Sequence, residues 1–309
     1  MKKKKKNVFL KIVGSSSILS IAFAMVILIC VLMIFDFFGT KFTKEKVQDN
    51  AEYADEYIST VNKHLKDGYV PLQRLLYFHL EDTSLTLDGL YTMNQNKEQK
   101  TAKEISVVCE DPRVKSMTAC TESSLAENKE YLEVSTGHFN LPLDRDFTVT
   151  SFFNEQRVIY GQSNVHGGWD LAVPAQTPVY SVCSGTVEKV TFTQNQNVPY
   201  DQSGNNVGNL ITIKCDEDYD ETYYVVFAHL YPNSAKVKVG DKVHHWTQVA
   251  EVGTTGHSTG NHLHYQVENS NREKIDGMQF IDFNLRSPNY HPDLQIPNNN
   301  LNSDDYIIQ

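Results

Sequence analysis

The residues best suited to chemistry are histidines and one aspartate, grouped in three short stretches. His166 and Asp170 stand four apart in HGGWD. His262 and His264 stand two apart in HLHYQV, and His229 lies near the end of the run VVFAHL. Each stretch alone is also typical of a structural histidine or of a carboxylate where a strand starts. Together they supply imidazole and carboxylate ligands, which zinc accepts, in the number that a catalytic site with an open position requires.

The spacing within two of these stretches predicts how the side chains converge. Side chains of a strand alternate between its faces, so His262, His264 and Gln266 are expected to share one face. The glycines between His166 and Asp170 let the backbone curl until both side chains meet one ion. The residue patterns therefore predict metal-assisted hydrolysis by a zinc enzyme.

The elements that must position these residues are mainly strands. From residue 147 onward, short β-rich runs alternate with turns of Gly, Pro, Asn and Asp, which predicts a sheet-based domain. Upstream, apolar residues at spacings of three and four predict helices over 44–66, 71–79 and 85–93. Residues 193–208 are polar and predict a loop between two strands. The strands are predicted over 178–185, 186–193, 210–214, 223–230, 248–252 and 262–267.

Four stretches of the sequence resemble the lysostaphin-type, or LytM-like, zinc endopeptidases, which cut peptidoglycan cross-bridges. They lie within residues 150–270 and follow the family's order. The resemblance implies a mainly β fold, with a LytM-like antiparallel β-sheet peptidase domain over residues 137–292. The stretches are HGGWDLAVPAQTPVYSVCSGTV from His166, YYVVFAHLY from Tyr223, KVGDKV from Lys238 and VGTTGHSTGNHLHYQV from Val252.

The resemblance also implies a role for each candidate residue. In this family the H-x-x-x-D pair and the second histidine of H-x-H bind one zinc ion, which makes His166, Asp170 and His264 the implied metal ligands. The first histidine of H-x-H and the histidine of the A-H-L strand flank the reacting water. His262 and His229 are therefore the implied catalytic residues, and the peptide part of peptidoglycan is the implied substrate.

The chain departs from the family pattern at three places. Asn261 stands where proline is common, His245-Trp246 replaces the usual Lys-Gly, and the loop 193–208 is long. Loops of this kind wall the substrate groove in the family. The departures therefore leave the choice of peptide bond open.

The N-terminus predicts a membrane anchor. A basic segment, 1–17, precedes an apolar stretch, 18–38, in which only Asp36 is charged. A helix of about 20 apolar residues crosses the hydrocarbon core of a bilayer. The alternative is a cleaved signal peptide, whose apolar region is shorter, about 7–15 residues, and ends at a small-residue cleavage site. The lysines keep the N-terminus cytoplasmic, which predicts a single-pass cell-membrane protein that contacts membrane lipid.

The rest of the predicted organisation follows from this topology. Residues 39–136 are predicted to be an extracellular helical spacer or accessory region, and residues 293–309 a flexible tail. Disulfides persist on the outer side of a membrane, and sequence proximity favours pairing within each segment. Four cysteines allow three pairings, however, and separate buried thiols are an alternative. The cysteines concerned are Cys109, Cys120, Cys183 and Cys215.

Charge excludes one class of partner. The chain has 28 basic and 38 acidic residues, a net charge of −10. The first eleven residues hold six lysines and no acid, which leaves 22 basic and 38 acidic residues, or −16, in the remainder. So acidic a surface repels DNA and RNA. Nucleic acid is therefore not an expected partner.

Two functions of different classes fit the sequence. The first is a membrane-anchored endopeptidase acting on peptidoglycan. The second is a catalytically silent LytM-like interaction or scaffold module in a cell-envelope assembly, because some relatives have lost ligands. All five site positions are filled here, which favours the enzyme. A third hypothesis joins the two: an active hydrolase within a conjugation or secretion apparatus, with residues 41–136 contacting envelope-assembly proteins.

Overall fold

The computed structural model describes the chain from residue 50 to residue 289, with gaps. The described residues are 50–95, 108–109, 111–127, 139–159, 161–197, 207–216, 221–283, 285 and 287–289. The predicted basic segment 1–17, anchor 18–38 and tail 293–309 lie outside them. Within these ranges, no helix combines the length and apolar character that crossing a bilayer requires.

Four α-helices occupy the first described part of the chain: α1 (Ala54–His64), α2 (Leu72–His79), α3 (Leu87–Gln95) and α4 (Glu122–Glu127). Short 3₁₀ turns flank α1 at Ala51–Tyr53 and Leu65–Asp67. α1, α2 and α3 fall on the predicted helices, with α3 displaced by two residues, whereas no helix was predicted at α4. The start of the predicted helix 44–66 lies outside the described residues.

Twelve strands follow in the described residues, and most of them form one antiparallel sheet. The large sheet has the order β1-β4-β11-β8-β7-β6-β9, with β12 also paired to β11. β10 and β5 form a separate pair, as do β2 and β3. The strands are β1 Thr148–Ser151, β2 Gln156–Ile159, β3 Gln162–Val165, β4 Trp169–Ala172, β5 Pro178–Tyr180, β6 Gly185–Thr191, β7 Leu210–Cys215, β8 Tyr224–Ala228, β9 Lys242–Val243, β10 Gln248–Glu251, β11 His262–Glu268 and β12 Lys274–Ile275.

The prediction of one strand over 178–185 was wrong beyond Tyr180. β5 pairs with β10, whereas β6 belongs to the large sheet and begins at Gly185. The chain therefore leaves one sheet and enters another between the two strands. Both short elements are β-rich in sequence, and a continuous β-rich run cannot reveal that its ends pair with different partners.

The helices share a hydrophobic core with the sheet. Tyr57 of α1 packs edge-on against Phe152, and Tyr69 packs edge-on against Trp169. The Asn62 side chain accepts a hydrogen bond from the Val149 backbone nitrogen and donates one to its carbonyl, at 2.7 and 2.8 Å. The described part of the predicted spacer thus contacts β1, the residue that follows it, and Trp169 at the start of β4.

Two disulfides link the four cysteines in the pairing that sequence proximity favours. Cys109 bonds to Cys120 and Cys183 bonds to Cys215. The second bond joins the segment between β5 and β6 to the end of β7. It therefore anchors the point at which the chain changes sheets.

Candidate metal centre

Strand register brings the three implied ligands together. β4 and β11 run antiparallel with His264 directly opposite Asp170. His166 comes four residues before Asp170, directly after β3 and at the start of the turn that leads into β4. On the other side of β11, His264 pairs with Ala228 of β8, and His229 is the next residue along that chain. Adjacent strands thus place residues that are far apart in sequence on one face of the large sheet.

The ligand atoms of this set form a tight triangle. His166 Nε2, His264 Nδ1 and Asp170 Oδ1 each lie 3.0 Å from the other two. All three side chains are buried, and they make up a group whose ligand atoms could hold one metal ion. Ligand atoms about 2.0–2.1 Å from one zinc ion in tetrahedral geometry lie roughly 3.3 Å apart. The triangle therefore fits zinc.

The second nitrogen of each ligand imidazole has its own acceptor. His166 Nδ1 lies 3.0 Å from the Phe152 carbonyl and 2.8 Å from Ser151 Oγ. His264 Nε2 lies 3.4 Å from the side-chain oxygen of Gln266. When these nitrogens carry the ring proton, His166 Nε2 and His264 Nδ1 keep their lone pairs for a metal. Such partners are the usual companions of histidine ligands.

The two implied catalytic histidines stand beside the triangle. The ring centroid of His229 lies 4.7 Å from that of His262 and 5.7 Å from that of His264. His262 Nε2 lies 3.5 Å from Asp170 Oδ1. The structure thus brings all five predicted site residues into one cluster, although the role of each stays a prediction.

The glycine-rich turn before β11 holds both catalytic candidates. His229 Nδ1 donates to the carbonyl of Thr255, and His262 Nδ1 donates to the carbonyl of Gly260, each at 2.8 Å. His229 also has a positive φ of 58°, a conformation that side chains with a Cβ adopt at a cost. Its ring is therefore held in place by a backbone carbonyl and by an unusual backbone conformation.

Burial and mutual charge set the protonation states of the cluster. Burial lowers the pKa of His229 well below its ordinary value, and burial lowers the pKa of His166 to about 4. Burial alone would raise the pKa of Asp170, but the charges of His166 and His262 hold it well below its usual range. Burial also opposes protonation of His262, but the Asp170 carboxylate outweighs it and raises that pKa. The ligand set is thus an ionised carboxylate beside neutral His166, the forms that bind metal.

Gly168 explains why the turn before β4 needs a glycine. A Cβ at Gly168 would lie 2.5 Å from the Tyr265 carbonyl oxygen and 3.0 Å from the His264 ring. The three atoms nearest to a Cβ at Gly167 all belong to the flexible side chain of Lys274. The absence of a side chain at Gly168 therefore lets β11 and its histidine approach the Asp170 strand.

The residues that sequence reasoning missed lie behind the ligands rather than among them. From the β1–β2 region, Ser151 contacts the His166 ring and Arg157 contacts the Asp170 carboxylate. Glu155 accepts a hydrogen bond from Ser151, and its backbone carbonyl accepts one from the His166 backbone nitrogen. Their spacing carries no metal-binding signature, so only the three-dimensional arrangement reveals them. Trp169 is buried and donates from Nε1 to Asp276.

Histidines outside the cluster make separate contacts. His64 lies 2.8 Å from Asp88, His79 contacts the Leu85 carbonyl, and His245 contacts the Asn140 side chain. These bonds lie within the helical region or at other edges of the sheet. These histidines therefore have local partners of their own and lie outside the cluster.

The antiparallel sheet thus carries a buried His-Asp-His group that could hold a metal ion, and the part of the chain that contains it is similar to a known protein family. Residues 164–276 match the family described as "Peptidase family M23". The chain therefore contains an M23-type, LytM-like domain.

Curated relatives match the same part of the chain. An "Uncharacterized metalloprotease" of Haemophilus influenzae is 32% identical over 147 residues, which cover 47% of this chain and 28% of that protein. "Peptidoglycan DD-endopeptidase ShyC" of Vibrio cholerae is 32% identical over 120 residues, which cover 38% of this chain and 24% of that protein. The chain thus spans about a quarter of the length of these relatives.

Solved structures match as well. A "zinc containing peptidase from vibrio cholerae" is 33% identical and covers 45% of this chain and 39% of that chain, with a TM-score of 0.36.

Proposed function

We propose that this protein is a zinc metalloendopeptidase that hydrolyses peptide cross-links of peptidoglycan. The observation that carries the proposal is the buried 3.0 Å triangle of His166, Asp170 and His264 with two further imidazoles beside it. The names of the curated relatives support the reaction class, since they include metalloproteases and peptidoglycan endopeptidases. A zinc ion held there would supply Lewis-acid activation of water and of the scissile carbonyl.

The protein's own contribution is to handle protons and orient the reactants. Because Nδ1 of His229 and of His262 donates to a backbone carbonyl, Nε2 of each ring is left to accept a proton or to donate one. The two rings stand side by side, so one can accept the proton of the attacking water while the other donates to the leaving amine or to the developing oxyanion.

The proposed location is the outer face of a membrane. The lysine-rich start and the apolar stretch 18–38 support a single-pass anchor with the M23-type domain outside. The anchor would hold an acidic protein close to the cell wall without electrostatic attraction. A role inside a conjugation or secretion apparatus, with envelope-assembly proteins as partners, is compatible with this location.

The competing function is a silent scaffold of the same fold. It would require that the five clustered residues persist without hydrolysing anything. The positive φ of His229 favours the enzyme, because strained backbone is retained where a side chain must be held in place for a function.

Digestion of purified peptidoglycan separates the two functions. The full chain in detergent would be incubated with peptidoglycan, and released fragments would be identified by mass spectrometry. We expect new amine termini with the wild type and with His244→Ala, a control at an exposed position outside the cluster. We expect at least a 100-fold loss with His229→Ala and with His262→Ala, in line with removal of acid–base groups. No release by a folded, zinc-loaded wild type from any peptidoglycan type would favour the scaffold.

A further inference from the structure

Both oxygens of the Asp170 carboxylate have defined partners. Oδ1 belongs to the ligand triangle, 3.0 Å from His166 Nε2 and from His264 Nδ1. Oδ2 accepts a hydrogen bond of 2.8 Å from Nη1 of Arg157. The guanidinium thus engages the oxygen that the triangle does not use, and it leaves a single oxygen directed at the proposed metal position.

Arg157 is itself held in a fixed orientation. It lies on β2, opposite Asn164 of β3, and its Nε donates to the Asn164 side-chain oxygen at 3.2 Å. The same Nη1 that reaches Asp170 also donates to Ser151 Oγ at 2.6 Å. Contacts at both ends of the planar group fix its direction, which a lysine could not reproduce.

Ser151 connects this cation to the second ligand. Its hydroxyl donates to the Glu155 carboxylate, so its oxygen is left to accept from Arg157 and from His166 Nδ1. Glu155 also accepts from the Phe152 backbone nitrogen at 3.2 Å. The Ser151 hydroxyl proton is therefore donated to Glu155, and Ser151 Oγ acts as an acceptor for His166 Nδ1.

The backbone of β1 places Ser151 where these contacts meet. The register between β1 and β4 shifts between Val149 and Ser151, which brings Ser151 opposite Asp170. Irregularities of this kind redirect a side chain and are frequent beside functional sites. The backbone nitrogen of His166 also donates to the Glu155 carbonyl at 2.9 Å, so the turn carrying Glu155 is tied to the ligand.

We propose that Arg157, Ser151 and Glu155 are positioning residues for the metal centre: Arg157 occupies Oδ2 of Asp170 and keeps that ligand monodentate, while the Ser151–Glu155 pair orients His166. The inference rests on the proposed metal centre, and it assigns a positioning role to residues that do not themselves bind the metal. Partners of metal ligands typically change metal affinity by about 10–100-fold when they are removed.

A matched pair of arginines allows a controlled test. Arg157 and Arg145 each form an ion pair with a nearly buried aspartate, at 2.8 and 3.1 Å, and both arginine side chains are 20% exposed. Only Arg157 contacts a metal ligand, since Arg145 pairs with Asp144. If breaking any such ion pair were enough to weaken zinc binding, replacing Arg157 and replacing Arg145 should weaken it equally.

The measurement is the zinc dissociation constant of the full chain in detergent, obtained by competition with a chelating dye. We expect Arg157→Gln and Ser151→Ala to weaken zinc binding by at least tenfold and Arg145→Gln by less than threefold. The conservative Arg157→Lys variant keeps the charge and should still lose at least threefold. X-ray absorption of zinc-loaded Arg157→Gln should show a longer or bidentate carboxylate contact.

Several results would overturn the proposal. One is an unchanged dissociation constant in Arg157→Gln, another is an equal loss in Arg145→Gln, and a third is wild-type affinity in Arg157→Lys. Circular dichroism, recorded while the metal-free variants unfold, identifies any variant that does not fold. If Arg157→Gln does not fold, the zinc dissociation constant of Arg157→Lys decides the outcome. If the wild type itself binds no zinc, the proposed function fails rather than this inference.

Discussion

At the residue scale, the site depends on which nitrogen of each histidine the protein engages. Nδ1 of His229 and Nδ1 of His262 each donate to a backbone carbonyl. Nδ1 of His166 lies beside both Ser151 Oγ and the Phe152 carbonyl, and Nε2 of His264 lies beside the Gln266 side-chain oxygen. The choice differs for His264, whose Nδ1 points to Asp170. The protein thus sets, ring by ring, which nitrogen faces the centre of the cluster.

Gly168 gives the sharpest prediction at this scale. We expect Gly168→Ala to weaken zinc binding by at least tenfold, because the added Cβ would meet the Tyr265 carbonyl oxygen and the His264 ring. Gly167→Ala is the matched control, since the side chain of Lys274 can move aside. Zinc titration of both variants checks this, and equal affinities would contradict it.

The metal-free protein should lose stability in acid. The pKa of His166 is about 4 in the folded protein, below its ordinary value near 6.5, so the unfolded chain binds more protons between these pH values. The free energy of unfolding therefore falls as the pH drops from about 6.5 to 4. The lowered pKa of His229 acts in the same window, and the lowered pKa of Asp170 extends the loss below its ordinary value near 3.9. The raised pKa of His262 acts only above about pH 6.5, where its stabilising contribution falls as the pH rises.

Urea unfolding of chelator-treated protein at several pH values measures how steeply the free energy of unfolding changes with pH. His166→Asn should reduce this pH dependence, whereas His244→Asn, at an exposed position, should leave it unchanged. A free energy of unfolding that stays constant or rises towards pH 4 in the wild type would contradict the prediction.

At the element scale, the helices and the sheet form a common core. Tyr69 donates to Asp276 at 2.5 Å, and Trp169 donates to the other oxygen of the same carboxylate at 2.9 Å. Trp169 immediately precedes the implied ligand Asp170. The segment between α1 and α2 is thus connected to the strand that carries a predicted metal ligand.

Removal of the helices should therefore unfold the sheet. A fragment of residues 137–309 lacks Tyr57 and Tyr69, which pack against Phe152 and Trp169 in the full chain. It also lacks the Asn62 side chain that hydrogen-bonds the Val149 backbone. We expect it to aggregate or to unfold without cooperativity, whereas residues 45–309 unfold cooperatively. Thermal unfolding followed by circular dichroism compares the two, and equal transition midpoints would contradict the prediction.

The sequence predicted those elements whose pattern is local. β-rich runs located β7, β8, β10 and β11, and apolar spacing located α1 to α3. The β2–β3 hairpin escaped notice because QRVI and QSNV are polar and only partly buried. The five candidate histidine and aspartate positions could be named from motifs, but register and the contacts of Arg157 depend on strand pairing that no short window contains.

At the scale of the whole molecule, the predicted anchor should determine where the protein is located. We expect the full chain to fractionate with membranes and a chain lacking residues 1–44 to lose that association, because the apolar stretch 18–38 is removed. Intact mass should equal that of the whole 309-residue chain. A shortened mass, with cleavage after residue 38, would contradict the anchor and favour the signal peptide.

The central claim is that two histidines and one aspartate hold a single zinc ion. X-ray absorption and metal analysis of the purified full chain test it most directly. We predict one zinc per chain, with two imidazole nitrogens at about 2.0–2.1 Å and a carboxylate oxygen at about 2.0–2.2 Å, and loss of the metal in His264→Ala. A wild type that retains no zinc, or a His264→Ala variant with unchanged zinc content, would contradict the account.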